Sequence, residues 1–293
     1  MICSQCPRRC AALRTTERAG GVCAMPALPV AARAALHLWE EPCISGSRGA
    51  GTVFFSGCNL GCVYCQNEPI SHGGRGVPLT PERLRGIFLS LIAQGAHNLD
   101  LVTPTHFTHA LARALGPPLP VPVVWNSSAY ELPETLETLE GKVQIYLPDL
   151  KYPDAEGAGR YSAAADYPEA ARAAIAEMVR QTGPCVLEDG LLKRGVLIRH
   201  LLLPGRLSQA REVMDWVAAA FPPGTVLFSL MSQYTPPKGI AARFPELGRS
   251  LRASERRAAG EYMRRLGLEG YVQSAESVGE GYIPSFDLTG LDG

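Results

Sequence analysis

Short apolar runs rich in β-branched and aromatic residues recur along most of this chain, at Thr52–Ser56, Asn98–Thr103, Val121–Asn126, Val143–Asp149, Val196–Leu203 and Thr225–Met231. Each is too short to be a long helix, so the pattern predicts six strands. Between and after them, Pro81–Gln94, Phe107–Leu115, Leu132–Leu139, Pro168–Gln181, Ser208–Ala220 and Ala253–Leu266 carry apolar residues at helical spacing. Several open on Thr, Ser or Pro, residues suited to a helix start. Six strand–helix alternations predict a parallel sheet with right-handed crossovers. A closed barrel has eight such units, so the expected fold is α/β, a partial (β/α)6 TIM-like barrel.

In such folds the loops after the strands' carboxyl ends build the active site. Cys58 follows the first predicted strand, Thr105 and His106 the second, Asn126 the third, Asp149 and Lys151 the fourth, Pro204 and Gly205 the fifth, Ser232 and Gln233 the sixth. One mouth is expected to gather them.

Composition adds a second unit. Residues 1–50 are cysteine-rich, with Arg/Ala stretches and glycine at 46, 49 and, just beyond, 51. The expected organisation is a Cys-rich metal-binding appendage over 1–50, the barrel over 51–270 and a C-terminal tail over 271–293. With 293 residues, 46% of them hydrophobic, the chain is long enough for one large core and a small addition. Lysine plus arginine total 28 and aspartate plus glutamate 28, which removes the charge excess that would favour a nucleic acid or an anionic membrane. No apolar run reaches bilayer length, and the chain opens on cysteines in place of a basic stretch followed by an apolar one. A soluble cytoplasmic protein is expected.

Nine cysteines are present, eight of them within the first 65 residues. Clustered thiols in a mid-sized chain fit metal ligands better than a disulfide framework. Cys58, Cys62 and Cys65 have the spacing C-x3-C-x2-C, with Gly57 and Gly61 leaving room for a loop to wrap a bulky group. A [4Fe–4S] cluster takes four thiolates, so three in one loop would leave an iron open to a ligand.

This triplet, placed directly after the first strand of a βα repeat, resembles the radical S-adenosylmethionine (SAM) superfamily. The similarity extends through Val102–Phe107, Ile145–Tyr152, Arg199–Gly205 and Leu230–Tyr234, which look like an uncharacterised branch related to pyruvate formate-lyase activating enzymes. The resemblance implies that the open iron chelates the amino and carboxylate groups of SAM. One electron, from reduced flavodoxin or ferredoxin, then gives methionine and a 5'-deoxyadenosyl radical that abstracts a hydrogen atom. It further implies that Tyr64 lies near adenine and that Asn126, Ser127 and Ser128 suit ribose hydroxyls or the carboxylate. Asp149 and Lys151 match the Asp-Leu-Lys segment of glycyl-radical activating enzymes, the lysine pairing with an anionic group. Where the superfamily commonly carries a Gly-Gly-Glu-like segment for the cofactor's amino group, this chain departs with Thr103-Pro104-Thr105-His106 and the amino-group contact is left unassigned; Thr105 and His106 stand as candidate cofactor-binding residues. Arg199 and His200 alternate on the fifth strand, so only one points into the barrel, and Arg199 is the candidate for a carboxylate.

Cys3, Cys6, Cys10 and Cys23 suit either a structural zinc or a second iron–sulfur cluster. Cys43 and Cys185 are isolated; they read as packed thiols or as hydrogen-atom donors to a substrate radical. The segment His37–Pro42 either clamps the appendage to the body or lines the substrate opening. Three functions follow: an activase acting on a glycine of a partner enzyme, a radical enzyme acting on a small molecule such as a sugar, and a non-catalytic electron-transfer or metal-binding protein.

Overall fold

The computed structural model describes residues 2–273 and 284–291. Its strands are β1 (Val30–His37), β2 (Ala50–Phe55), β3 (Val77–Pro78), β4 (Leu99–Val102), β5 (Val123–Ser127), β6 (Ile145–Pro148), β7 (Val186–Glu188), β8 (Leu191–Leu201), β9 (Val226–Met231) and β10 (Gly270–Val272). They form one sheet in the order β10-β9-β8-β6-β5-β4-β2-β1-β3, with β7 paired to β8. Every pairing from β2 to β10 along that path is parallel, while β1 and β3 pair antiparallel. The two ends of the path, β3 and β10, do not meet among the described residues, which leaves the partial barrel open. The α/β partial TIM-like barrel expected from the hydrophobic pattern is the observed fold.

The crossover helices form where helical spacing predicted them. Pro81–Ala93 shows the causes: Thr80 accepts from Arg83 N at its start, and Leu84, Phe88 and Leu91 turn one apolar stripe onto the sheet. The core beneath is made of large side chains from successive strands, with Trp125, Tyr146 and Phe228 fully buried.

Several elements have no counterpart in the hydrophobic pattern, the short strands β3, β7 and β10 among them, and two others bear on the site. Strand β1 lies inside the stretch 1–50, and its sequence, VAARAALH, is rich in good helix formers. Pairing decides its conformation: β2 bonds it on one side, and on the other Leu288 N and Thr289 O bond to Ala32 O and Ala34 N. The sheet therefore begins upstream of residue 51, and residues 284–291 return to its antiparallel edge. Of the expected tail, residues 274–283, 292 and 293 lie outside the described residues, and Tyr271 and Val272 belong to β10. The second element is the helix Ala155–Ser162, hidden by two internal glycines but capped by Asp154, whose side chain accepts from Gly157 N at 2.7 Å.

Among the described residues no helix is long and apolar enough to cross a membrane.

Strand β8 sets Arg199 toward the barrel mouth and His200 to the opposite side, where its Nδ1–H donates to Leu150 O at 2.7 Å. Burial pushes the His200 pKa from 6.5 down to about 4, against the upward pull of that carbonyl. The unfolded chain thus binds this proton first as pH falls, so stability present above pH 6.5 is lost between 6.5 and 4. Urea unfolding followed from pH 7 to 4 should show a falling midpoint, and the His200→Gln variant a flatter profile; equal slopes would contradict the assignment.

Candidate active site at the barrel mouth

The loop after β2 is fixed from several sides before its sulfurs come into play. Gly57 opens it at φ 78°, and a Cβ there would lie 2.3 Å from Met25 Cγ and 2.8 Å from Cys23 O. Only glycine lets the N-terminal segment rest against the loop's base. Further on, Asn59 Nδ2 donates to Tyr130 O at 2.7 Å, Gly61 N to Ser162 O at 3.3 Å and Val63 N to Tyr161 O at 2.9 Å. Arg8 reaches across from the N-terminal segment, donating to Asn59 O at 2.8 Å and Ser162 O at 3.2 Å while lying over the Tyr130 ring.

Among the described residues each loop sulfur has one hydrogen-bond partner. Leu60 N donates to Cys58 Sγ at 3.4 Å, Ser162 Oγ lies 2.9 Å from Cys62 Sγ, and Ser71 Oγ lies 3.3 Å from Cys65 Sγ. Burial, reinforced by the neighbouring Cys62, pushes the Cys58 thiol up to about 12. Burial also raises Cys62, while Lys151 pulls it back. Thiols so disfavoured as free anions deprotonate when they ligate a cation. Among the described residues no group of three or more His, Cys, Asp or Glu is arranged to hold one metal ion. Three half-buried soft donors on one short loop instead fit a cluster, which spreads its ligand sulfurs over separate iron corners.

Cys62, Tyr64 and Cys65 face a cavity of about 690 Å3 at the carboxyl ends of the parallel strands, a size suited to a cofactor or small ligand. Asn126, Asp149, Lys151 and Arg199 also line it, as do His37 to Pro42. Arg199 donates through Nε to Asp149 at 2.8 Å, through Nη1 to Glu40 at 2.9 Å and through Nη2 to Asn126 at 2.6 Å. Lys151 Nζ donates to the other Asp149 oxygen at 2.7 Å. Burial opposes the charge of Asp149, but the two cations outweigh it and hold the carboxyl below the usual range. Two further carboxyls sit nearby. Burial raises Glu41, which accepts from Ser229 Oγ at 2.8 Å, and raises Asp100 well above the usual range, with Glu40 adding to the effect.

Tyr64, Asn126, Asp149, Lys151 and Arg199 thus meet at the cavity, as do Cys62 and Cys65. Other candidates do not line it. Thr105 is buried and donates to Glu131 Oε1 at 3.0 Å. His106 donates from Nε2 to Ser56 O at 2.8 Å, and burial lowers it to about 3, so it is a neutral brace under the cysteine loop. Ser128 offers its carbonyl to Tyr167 OH at 2.9 Å. Cys43 is wholly buried in an apolar cluster with Ile44 and Leu192, and burial raises its thiol to about 11. Cys185 Sγ donates to Val196 O at 3.4 Å. Cys3, Cys6 and Cys23 are buried and Cys10 is exposed; Arg14 donates to Cys3 Sγ at 3.4 Å, and the sulfurs of Cys10 and Cys23 flank Gly21.

The hydrophobic pattern did not single out Glu40, Asp100, Ser162 or Tyr152. An acid within the apolar run Leu99-Asp100-Leu101-Val102 was the available sign of a polar barrel interior. Ser162 carried none, because the helix that places it was itself hidden.

Comparison with known proteins bears on the fold. No family model matches the chain. An uncharacterised protein of Methanocaldococcus jannaschii is 28% identical over 278 residues, covering 91% of this chain and 75% of its own. A radical SAM methyltransferase from Sphaerobacter thermophilus superposes with a TM-score of 0.53 at 15% identity, over 76% of this chain and 66% of that one. A spore photoproduct lyase variant also gives 0.53, at 14% identity and 78% of each chain. Streptococcus suis SuiB bound to S-adenosylmethionine gives 0.50 at 13% identity, over 75% of this chain. This chain spans less than half of SuiB, 46%, and about two thirds of the methyltransferase, 66%. The chain has the partial-barrel fold of the radical SAM enzymes.

Proposed function

We propose that the chain is a radical SAM enzyme that carries a [4Fe–4S] cluster on Cys58, Cys62 and Cys65 and binds SAM in the adjoining cavity. The observation that carries this reading is the loop itself: three thiols after the first parallel strand, two of them opening onto a cavity walled by Lys151 and Asp149. Cys58, Cys62 and Cys65 would hold the cluster, which when bound would supply the electron for reductive cleavage of SAM and so the radical chemistry of hydrogen abstraction. The chain's own residues bind and orient. Lys151 keeps donors beyond the one given to Asp149 and suits the cofactor carboxylate. Arg199, whose guanidinium is already engaged by three side chains, holds the wall in place. Tyr64, beside Cys65, offers a ring to adenine.

The Asp149-Leu150-Lys151 segment supports an activase that abstracts hydrogen from a backbone glycine of a partner protein, with reduced flavodoxin or ferredoxin as electron donor in a reducing cytoplasm. Mixing the reduced, SAM-loaded protein with a glycyl-radical enzyme should produce a partner-borne radical signal. Deuterium moving from a small metabolite into 5'-deoxyadenosine, with no such signal, would establish the small-molecule reading instead.

Cys62→Ala should abolish 5'-deoxyadenosine formation while circular dichroism stays native; undiminished formation would overturn the assignment. Iron near four per chain fits a single cluster. Additional iron, or zinc lost on replacing Cys6 and Cys23, would place a second metal at the N-terminal thiols.

Lys151 and Arg199 separate by their roles. Arg199→Met leaves Glu40 without its cation and Asp149 with Lys151 alone, and should cost about 3–5 kcal/mol in urea unfolding. Lys151→Met leaves Asp149 paired to Arg199 and should keep most of the stability, yet weaken SAM binding about tenfold to a hundredfold in equilibrium dialysis. The reverse pattern would exchange the two assignments.

A further inference from the structure

The sulfur of Cys62 ends a line of buried hydroxyls. Ser162 Oγ lies 2.9 Å from it, Tyr152 OH lies 2.7 Å from Ser162 Oγ, and Tyr64 OH lies 2.6 Å from Tyr152 OH. Ser162 and Tyr152 are fully buried and Tyr64 nearly so, which keeps water from replacing any member. A thiol can donate or accept, so with Cys62 protonated the line has two possible directions. A thiolate can only accept. Once Cys62 is a ligand, Ser162 has to donate to it. With its one proton committed, the Ser162 oxygen accepts a hydrogen bond from the Tyr152 hydroxyl, and Tyr152 in turn accepts one from Tyr64. The order Tyr64 to Tyr152 to Ser162 to Cys62 is then the only one available, and each donor strengthens the next.

We propose that this line of hydroxyls sets the reduction potential of the cluster by drawing electron density from the Cys62 sulfur, an inference that rests on the cluster assignment above. A reduced cluster carries one more negative charge than an oxidised one, so a donor on a ligand sulfur stabilises the reduced form more. The other two sulfurs have longer contacts, a backbone amide at 3.4 Å on Cys58 and the Ser71 hydroxyl at 3.3 Å on Cys65. Cys62 therefore carries the strongest of the three. Its donor comes from the end of the helix Ala155–Ser162 and the next member follows Lys151 directly, so the line leaves the cysteine loop at Cys62 and returns to it at Tyr64. Ser162, Tyr152 and Tyr64 act through the sulfur and are positioning residues.

The test is a potentiometric titration of anaerobically reconstituted protein, read by electron paramagnetic resonance of the reduced cluster. Ser162→Ala should move the midpoint to more negative potential, about tenfold fewer reduced clusters relative to oxidised at the wild-type midpoint, or about 59 mV for one electron. Tyr152→Phe should shift it less and Tyr64→Phe least, all in the same direction. Ser162→Thr, which keeps the hydroxyl, should restore the wild-type value. If Ser162→Ala fails to load its cluster, Tyr152→Phe carries the test, because it leaves both the loop and Ser162 intact. Midpoints equal to wild type in fully loaded Ser162→Ala or Tyr152→Phe protein would overturn the proposal and leave the cluster assignment standing. Wild-type protein that binds no cluster through these three cysteines would overturn both.

Discussion

The buried guanidinium of Arg199 bonds at once to Asp149 beyond β6, to Asn126 on β5 and to Glu40 from the connection between β1 and β2, so one side chain fixes three segments relative to β8. A planar fork of donors suits this task, since each partner is met along a different N–H direction. The arrangement matters because the barrel is open: a closed barrel fixes its strand ends by continuous pairing, whereas here β6 and β8 share only two registered pairs, Ile145 with Gly195 and Tyr146 with Val196. Beyond them the ladder is carried by the isolated bridge between Asp149 and Arg199. The ion pair and the last backbone pairing thus occur at the same two residues, and the wall facing the cysteine loop depends on both.

Much of this was legible in the sequence, for identifiable reasons. Parallel strands covered on both faces read as nearly unbroken apolar runs, and six of the seven, β2, β4, β5, β6, β8 and β9, were found for that reason, while the three-residue β10 overlapped the expected tail. Strand β1 was not legible, since alanine reports helix propensity while the pairing that overrides it comes from β2 and from residues 284–291, far away in the chain. Alternation on β8 distinguished Arg199 from His200 but could not tell that Arg199's donors would be taken by neighbouring side chains. Thr105 and His106 stand at the expected strand end yet turn into the protein, to Glu131 and Ser56 respectively. Position along a strand fixes which loop a residue joins; the direction of its side chain depends on partners that spacing does not reveal.

The N-terminal segment serves the cysteine loop more directly than an appendage joined by a linker would. Arg8 bonds the carbonyl of Asn59 within the loop, Arg14 bonds the carbonyl of His106 at 2.8 Å, and His106 in turn braces Ser56. Gly57 is the meeting point, because its missing side chain is the space that Met25 and Cys23 occupy. Contacts of this kind hold the loop's backbone while Cys62 and Cys65 face the cavity. Under the proposed cluster assignment, rigidity in the main chain and freedom at the sulfurs are what such a loop needs.

Charge at the mouth follows the same logic. Glu40 and Asp149 balance Arg199 and Lys151, while burial keeps Asp100 and Glu41 biased toward their neutral forms, so the protein groups alone come close to cancelling. Three ligating thiolates would add negative charge on the other side of the cavity. Two features already face that addition: Lys151, which acts favourably on the anionic form of Cys62, and the Ser162 hydroxyl at 2.9 Å from its sulfur. Both converge on Cys62, the central cysteine of the three; Lys151 joins the Arg199 network through Asp149, and the Ser162 hydroxyl lies outside it. The charge that keeps the cavity wall together and the dipoles that receive an anionic sulfur are therefore supplied by different residues, so the wall need not be rearranged when the sulfur becomes anionic.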